Sequence, residues 1–257
     1  MNAPRGKTGT DMPLLQLLPN MLTIAGLCAG LSAIRFGVEG NYELAVQLIL
    51  AAGVLDGLDG RIARLLRSDS KMGAELDSLA DVVNFGVAPP LVLYFWALQD
   101  TRAGWIAVLV FAVCCILRLA RFNVSSNADR DAGIGGPSAY FTGVPSPAAA
   151  LLVLLPMSVS FAFAGSALLP DFVVGAHMVV IGLLMISRIP TWSFKTARVS
   201  RRKAKFFLLG VAIAGAAVLT YAWVTLVALC LAYIATIIWC LATKRPPKRG
   251  PGTEQEK

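Results

Sequence analysis

Long apolar stretches separated by short polar ones run along almost the whole chain. A helix needs about 20 apolar residues to cross a hydrocarbon core about 30 Å thick, and several stretches have this length. The uncharged run from Phe206 to Leu241 would measure about 54 Å as one helix, so we divide it near Tyr221. The predicted spans cover residues 17–37, 43–60, 76–98, 103–122, 144–165, 171–189, 204–221 and 223–243. The pattern predicts an all-α integral membrane protein, a polytopic helical bundle of about eight transmembrane helices.

The composition agrees with this fold class. Apolar residues make up 56% of the 257 residues, and the mean hydropathy is +0.68, well above the range of soluble domains. The five cysteines fall in apolar spans without ligand spacing, and His177 is the only histidine. Neither a disulfide framework nor a zinc site is therefore expected.

Basic residues are distributed unevenly between the two sides of the predicted bundle. The chain has 23 Lys and Arg against 15 Asp and Glu, a net charge of +8 that alone would suit a nucleic-acid partner. With the N-terminus in the cytoplasm, however, every basic residue except Arg35 and Arg102 falls on the cytoplasmic side. This positive-inside bias predicts cytoplasmic N- and C-termini and attraction to anionic membrane lipid, with no nucleic-acid partner.

Four aspartates interrupt the second and third predicted spans. Asp56 and Asp59 are three residues apart, which places both on one face of a helix. Asp77 and Asp81, four apart, share a face in the same way. The two faces meet if the helices form an antiparallel hairpin that turns near Ser68. Four crowded carboxylates repel one another unless cations neutralise them, and an all-oxygen ligand set suits Mg²⁺ or Mn²⁺ as cofactor.

Small and basic residues surround these predicted metal ligands. Gly57, Gly60 and Gly73 leave gaps in the helix surfaces, where a backbone can approach a bulky anion such as a pyrophosphate. Arginine side chains near the turn are suited to neutralising phosphate oxygens. The basic residues near this turn, at the entrance of the predicted metal site, are Arg61, Arg64, Arg67 and Lys71.

The whole pattern resembles the signature of the CDP-alcohol phosphotransferase family. Its members are integral membrane enzymes that transfer a phosphatidyl or similar group from a CDP-linked donor to an alcohol. The matching positions are Asp56, Asp59, Gly60, Ala63, Arg64, Gly73, Asp77 and Asp81. The resemblance implies a homodimer, a general-base role for Asp81, and binding of the nucleotide and pyrophosphate by Gly60, Ala63, Arg64 and Gly73.

The start of the first span also resembles the family. There Asn20 and Thr23 correspond to a segment that lies near the nucleotide, which adds them to the expected nucleotide-binding residues. From the residues alone, an alternative is that both merely cap the beginning of a helix.

Three later segments resemble the phosphatidylserine synthase branch of the family, which uses CDP-diacylglycerol and L-serine. The segments are 84–89, 118–123 and 143–150. The acceptor-binding residues expected from them are Asn84, Arg118, Arg121 and Ser146. The residues alone leave two alternatives open. Arg118 and Arg121 could instead anchor the helix end, with their side chains snorkelling to the membrane interface. Asn84 could instead lie at a plain helix kink and form a hydrogen bond to a neighbour.

These observations lead to one main hypothesis for the function. The enzyme transfers a phosphatidyl group from CDP-diacylglycerol to the hydroxyl of L-serine and releases CMP. One alternative is another acceptor in the same family: glycerol 3-phosphate, inositol phosphate or choline. Another is an ion-coupled transporter, because intramembrane carboxylates also mark ion pathways.

We expect the protein to lie in the cell (inner) membrane, with its active site facing the cytoplasm. Its chain is expected to have four segments. Residues 1–16 form an N-terminal cytoplasmic or interfacial segment, and residues 17–190 the catalytic membrane domain. Residues 191–243 contain a basic cytoplasmic loop and the last two transmembrane helices, and residues 244–257 form a basic cytoplasmic tail.

Overall fold

The computed structural model describes residues 14–66, 68, 70–131, 140–163, 169–187, 190–192 and 220–242. Nearly all of these residues are helical, as predicted. The helices are α1 (Leu14–Val38), α2 (Tyr42–Leu66), α3 (Lys71–Asp81), α4 (Ala88–Ala97), α5 (Arg102–Asp131), α6 (Ser146–Val153), α7 (Leu155–Phe163), α8 (Asp171–Ile186) and α9 (Ala222–Ala242). A short antiparallel sheet that the apolar pattern did not indicate joins β1 (Tyr140–Thr142) to β2 (Pro190–Trp192), with Phe141 opposite Thr191.

Within the described residues, four helical segments are long and apolar enough to cross a membrane. The pair α6 and α7, bent by 43° at its break, makes a fifth crossing if it is one span, and α8 is a shorter apolar helix. The chain is thus a polytopic helical membrane protein. The predicted span 204–221 lies almost entirely outside the described residues, as do most of segments 1–16 and 244–257. The count of eight, the placement of the termini and the segment boundaries therefore stay predictions.

Helix α1 forms the central support of the first half of the chain, because it contacts α2, α3 and α4. Helix α1 can approach the third span closely because residue 30 is a glycine. An added Cβ at Gly30 would collide with the side-chain oxygen of Asn84. One turn earlier, a Cβ at Gly26 would lie an ordinary 3.6 Å from the Asn84 amide nitrogen. The gap at Gly30 therefore holds Asn84, which is only 1% exposed, against α1.

The third span changes its winding directly after the acidic residues. One π-helical turn, Val82–Val87, connects α3 to α4, and the N–H of Ala88 reaches the carbonyl of Val83 five residues earlier. Pro89 and Pro90 lack N–H groups, so they cannot continue the ordinary hydrogen-bond pattern into the preceding turn. The expected kink is thus a widened turn inside a helix that continues to Ala97.

Helices α5 and α8 pack closely in the second half of the chain. An added Cβ at Gly182 would lie 3.2 Å from the Cα of Phe111, whose side chain is fully buried. Other faces of the same helices expose large apolar side chains such as Ile106 and Leu183. Because exposed apolar surface of this extent is unfavourable in water, these faces suit contact with lipid.

A tight turn before α6 positions its first residue. Gly143 has a φ of +85°, and a side chain there would collide with the carbonyl of Met185 at the end of α8. Glycine tolerates both the left-handed backbone and the close approach. The N–H of Val144 then donates to the carbonyl of Leu184 at 3.3 Å. As a result Ser146, the first residue of α6, is completely buried inside the bundle.

Candidate active site

The turn between α2 and α3 brings the two acidic helix faces together. Ser70 caps α3, its hydroxyl accepting the N–H of Gly73 at 2.9 Å. Beyond this turn, one carboxylate oxygen each from Asp56, Asp59 and Asp77 lies within 4.8 Å of the others. The predicted meeting of the helix faces therefore holds for three of the four aspartates, which we call the carboxylate cluster.

Asp81 lies beside the carboxylate cluster and is not part of the three-residue group. Its side chain is in hydrogen-bond contact with Asp56. Its Oδ1 atom is buried and has no hydrogen-bond partner among the described residues. An unpaired buried oxygen is unfavourable by itself, so this atom is open to a proton of a bound molecule or to a metal ion. The role of Asp81 as a metal ligand stays a prediction.

The carboxylate cluster has the chemistry of a site for a hard divalent cation. Its three donors are carboxylate oxygens, the ligands that Mg²⁺ and Mn²⁺ prefer. Among the described residues, Arg35 forms an ion pair with Glu39, and no described basic side chain forms an ion pair with the cluster. A bound divalent cation would neutralise the repulsion among its charges, and the residues present fit such an ion.

Helix α1 supplies the third wall of the site. The hydroxyl of Thr23, itself buried, donates to the Oδ2 atom of Asp59 at 2.6 Å and also approaches the carbonyl of Pro19 at 3.1 Å. Asn20 lies next to α3, where an added Cβ at Gly73 would be 2.9 Å from its side-chain oxygen. The alternative that Asn20 and Thr23 cap a helix start is wrong, because α1 begins earlier, at Leu14.

The glycines around the carboxylate cluster differ from one another. An added Cβ at Gly57 or Gly60 would meet nothing within 4 Å, so these positions leave the predicted open space beside the site. Gly73 instead allows the close approach of α1 to α3. The predicted gap at Gly73 is therefore occupied by protein, because Asn20 fills it.

The structure describes the basic residues near the α2–α3 turn only in part. Arg64 is exposed and its Nε atom donates to the carbonyl of Gly60 at 2.8 Å, on its own helix. Ala63 accepts the N–H of Ser68 through its carbonyl at 3.0 Å, which helps to close the hairpin. The side chains of Arg67 and Lys71 lie outside the described part of the chain. Binding of phosphate by these residues stays a prediction.

A second polar group lies deeper in the bundle, around Arg118. This side chain is only 8% exposed, and its Nη1 atom donates to the hydroxyl of Ser146 at 2.9 Å. Arg118 also interacts electrostatically with Asp81, which connects this group to the acidic site. Its burial excludes the interfacial-anchor interpretation for Arg118, because a snorkelling side chain places its charge in water.

Arg121 and Asn84 occupy different surroundings. Arg121 is exposed and its Nη1 atom donates to the carbonyl of Ile186 at 3.3 Å. Asn84 packs against α1, and its buried side-chain oxygen has no hydrogen-bond partner in the described ranges. Their roles in binding the acceptor stay predictions.

Sequence reasoning missed Tyr233 of α9, which interacts electrostatically with Arg118. The hydroxyl of this tyrosine is buried. A tyrosine that interrupts an otherwise apolar span is a usable signal, because its hydroxyl needs a partner away from lipid. Only the packing of α9 shows that the charged group with which this tyrosine interacts is Arg118.

Comparison with known proteins agrees with this geometry. The family described as CDP-alcohol phosphatidyltransferase matches residues 16–186. A CDP-diacylglycerol–serine O-phosphatidyltransferase of Mycobacterium leprae is 39% identical over 242 residues, which cover 94% of this chain and 79% of the relative. An enzyme of the same description from Helicobacter pylori is 36% identical over 190 residues, covering 73% of this chain and 77% of its own. The chain therefore belongs to the CDP-alcohol phosphatidyltransferase family.

Proposed function

We propose that the protein transfers the phosphatidyl group of CDP-diacylglycerol to the hydroxyl of L-serine, giving phosphatidylserine and CMP. The observation that carries this proposal is the carboxylate cluster with Asp81 in contact with it, at the spacing of the family signature. Relatives described as serine phosphatidyltransferases align with 94% of the chain, far beyond the signature, which favours serine over other acceptors. Family membership also favours an enzyme over an ion-coupled transporter.

Asp56, Asp59 and Asp77 are the residues that would hold the divalent ion. When bound there, Mg²⁺ or Mn²⁺ neutralises the carboxylates and stabilises negative charge on a pyrophosphate. Thr23 orients Asp59 through the hydrogen bond at 2.6 Å, so α1 helps to fix the ligand geometry. The open helix surface at Gly57 and Gly60 leaves room for the donor's pyrophosphate beside these ligands.

Asp81 is the residue we assign to the proton transfer. The hydroxyl of serine becomes nucleophilic when a base removes its proton, and Asp81 has a buried oxygen that accepts no other hydrogen bond in the described residues. The serine oxygen then forms a bond to the phosphorus that carries diacylglycerol. The bond from this phosphorus to the CMP oxygen breaks, and CMP leaves with the electron pair.

Arg118 is the residue we assign to the carboxylate of serine. A guanidinium binds carboxylates through parallel hydrogen bonds, and a buried one gains most from such a partner. Its electrostatic interaction with Asp81 supports this assignment, because a small amino acid has its hydroxyl and carboxylate close together. Ser146 holds the guanidinium by its hydrogen bond at 2.9 Å.

The surroundings of the enzyme follow from the charge pattern and from the family. The distribution of Lys and Arg favours a site that opens to the cytoplasmic side of the cell membrane. The exposed apolar faces of the helices can lie against lipid. The acyl chains of the donor can therefore stay in the membrane while its head group reaches the site. A homodimer is expected from the family resemblance.

A direct test measures CMP release by purified protein with CDP-diacylglycerol and one acceptor at a time. We expect release with L-serine and Mn²⁺ or Mg²⁺, and little with glycerol 3-phosphate, inositol phosphate or choline. Excess chelator should abolish release and added metal should restore it, because the carboxylates need a cation. Release that depends on another alcohol, or full activity in chelator, would contradict the proposal.

Thr23→Val should weaken metal binding without removing a metal ligand. Valine keeps the shape of threonine but cannot donate to Asp59, and loss of such a supporting hydrogen bond typically costs about 10- to 100-fold in metal affinity. Thr23→Ser, which keeps the hydroxyl, is the matched control and should bind as the wild type does. Electron paramagnetic resonance of free Mn²⁺ measures these affinities. Equal Mn²⁺ affinity in all three proteins would exclude a role for Thr23 in orienting Asp59.

Asp81→Asn should lower kcat about 100- to 10,000-fold, the usual range for losing a general base, with the KM for CDP-diacylglycerol nearly unchanged. Asp77→Asn should instead affect both constants, because it removes a ligand of the ion that holds the donor. Asp100→Asn removes a carboxylate from an exposed turn and serves as the control. If Asp81→Asn raises the KM for CDP-diacylglycerol as much as Asp77→Asn does, Asp81 acts chiefly as a metal ligand.

A further inference from the structure

Helix α9 carries Tyr233, whose hydroxyl is buried and which interacts electrostatically with the buried Arg118. Its position is fixed by contacts with α6 and α7. The thiol of Cys230 lies 3.6 Å from the carbonyl of Leu151, and the rings of Trp223 and Phe161 are 4.9 Å apart in an edge-to-face arrangement. Tyr233, almost one turn after Cys230, interacts electrostatically with Arg118.

Both polar groups retain hydrogen-bonding capacity that the described residues do not use. The Nε atom of Arg118 and the hydroxyl of Tyr233 are buried without a hydrogen-bond partner in the described part of the chain. Buried donors of this kind are normally satisfied, and each unsatisfied one costs free energy. Two unsatisfied donors that interact electrostatically, one of them cationic, suit an anion.

We infer that the Tyr233 hydroxyl binds the carboxylate of the acceptor together with Arg118, and so determines which alcohol the enzyme accepts. This inference rests on the proposed function. Ser146 accepts a hydrogen bond from Nη1 of Arg118, whereas its Nε has no partner among the described residues and so remains available to a ligand. The hydroxyl of Tyr233 then supplies the second donor that a carboxylate requires.

The position of Arg118 favours the acceptor's carboxylate over the donor's phosphate as the bound anion. Arg118 interacts with Asp81, the residue assigned to the acceptor's hydroxyl. The open surface for the pyrophosphate lies instead at Gly57 and Gly60 on α2. A site that hydrogen-bonds a polar group of its substrate rejects analogues lacking that group, because its own donors are then left unpaired.

Tyr233 is well suited to a test by a minimal substitution. Its ring borders an apolar cavity of about 330 Å³ between α6 and α9, lined by Leu151, Leu229 and Cys230 among others. Tyr233→Phe keeps the ring against this cavity and removes only the hydroxyl. Tyr221→Phe makes the same chemical change at an exposed position at the start of α9 and is the matched control.

We expect Tyr233→Phe to raise the KM for L-serine about tenfold or more, the range for a hydrogen bond to a charged group. The KM for CDP-diacylglycerol should stay unchanged, and Tyr221→Phe should match the wild type. With L-serinamide, which has no carboxylate, Tyr233→Phe and wild type should have similar kcat/KM. The preference for serine over serinamide should therefore fall about tenfold in the variant.

Combining Tyr233→Phe with Arg118→Lys tests whether the two residues act together. Residues that bind one group give non-additive effects, so the double variant should lose less serine affinity than the sum of the single losses. An unchanged serine KM in Tyr233→Phe would overturn the inference, and a raised KM for CDP-diacylglycerol alone would assign the pair to the phosphate. If wild-type protein releases no CMP with serine, the proposed function itself fails.

Discussion

Electrostatic repulsion among closely spaced, partly buried carboxylates is the constraint on which the rest of this structure depends. Oxygens of Asp56, Asp59 and Asp77 lie within 4.8 Å of one another on two helices, and Asp81 touches the same group. Like charges this close in a membrane protein are unfavourable unless a cation is present. The packing around them keeps the group together: Ser70 caps the turn and α1 closes the third side.

The three elements around the carboxylates divide the chemistry between them. The α2–α3 hairpin presents the carboxylate cluster and the open surface at Gly60, and α1 supports Asp59 through Thr23. The second half of the chain contributes the buried cation Arg118, positioned by Ser146. The left-handed turn at Gly143 and the start of α6 after Pro145 place that serine, so glycine and proline residues distant in the chain help to position Arg118.

Local patterns were enough to predict most of the described helices and the meeting of three of the four aspartates. Spacings of three and four residues place side chains on one helix face whatever surrounds the helix, so the meeting of Asp56, Asp59 and Asp77 was readable from the chain. Features that depend on packing between distant segments were not. Examples are the closeness of Asn20 to Gly73 and the electrostatic interaction of Tyr233 with Arg118. Each arises from contacts between residues far apart in the chain, where spacing carries no information.

The central claim is that the carboxylates of α2 and α3 together bind one or more divalent cations. Anomalous X-ray diffraction at the manganese absorption edge, from crystals grown with Mn²⁺, tests this claim most directly. An anomalous peak between the side chains of Asp56, Asp59 and Asp77 is the predicted result. A map with no peak there at saturating Mn²⁺, or with manganese bound only elsewhere on the protein, would contradict it.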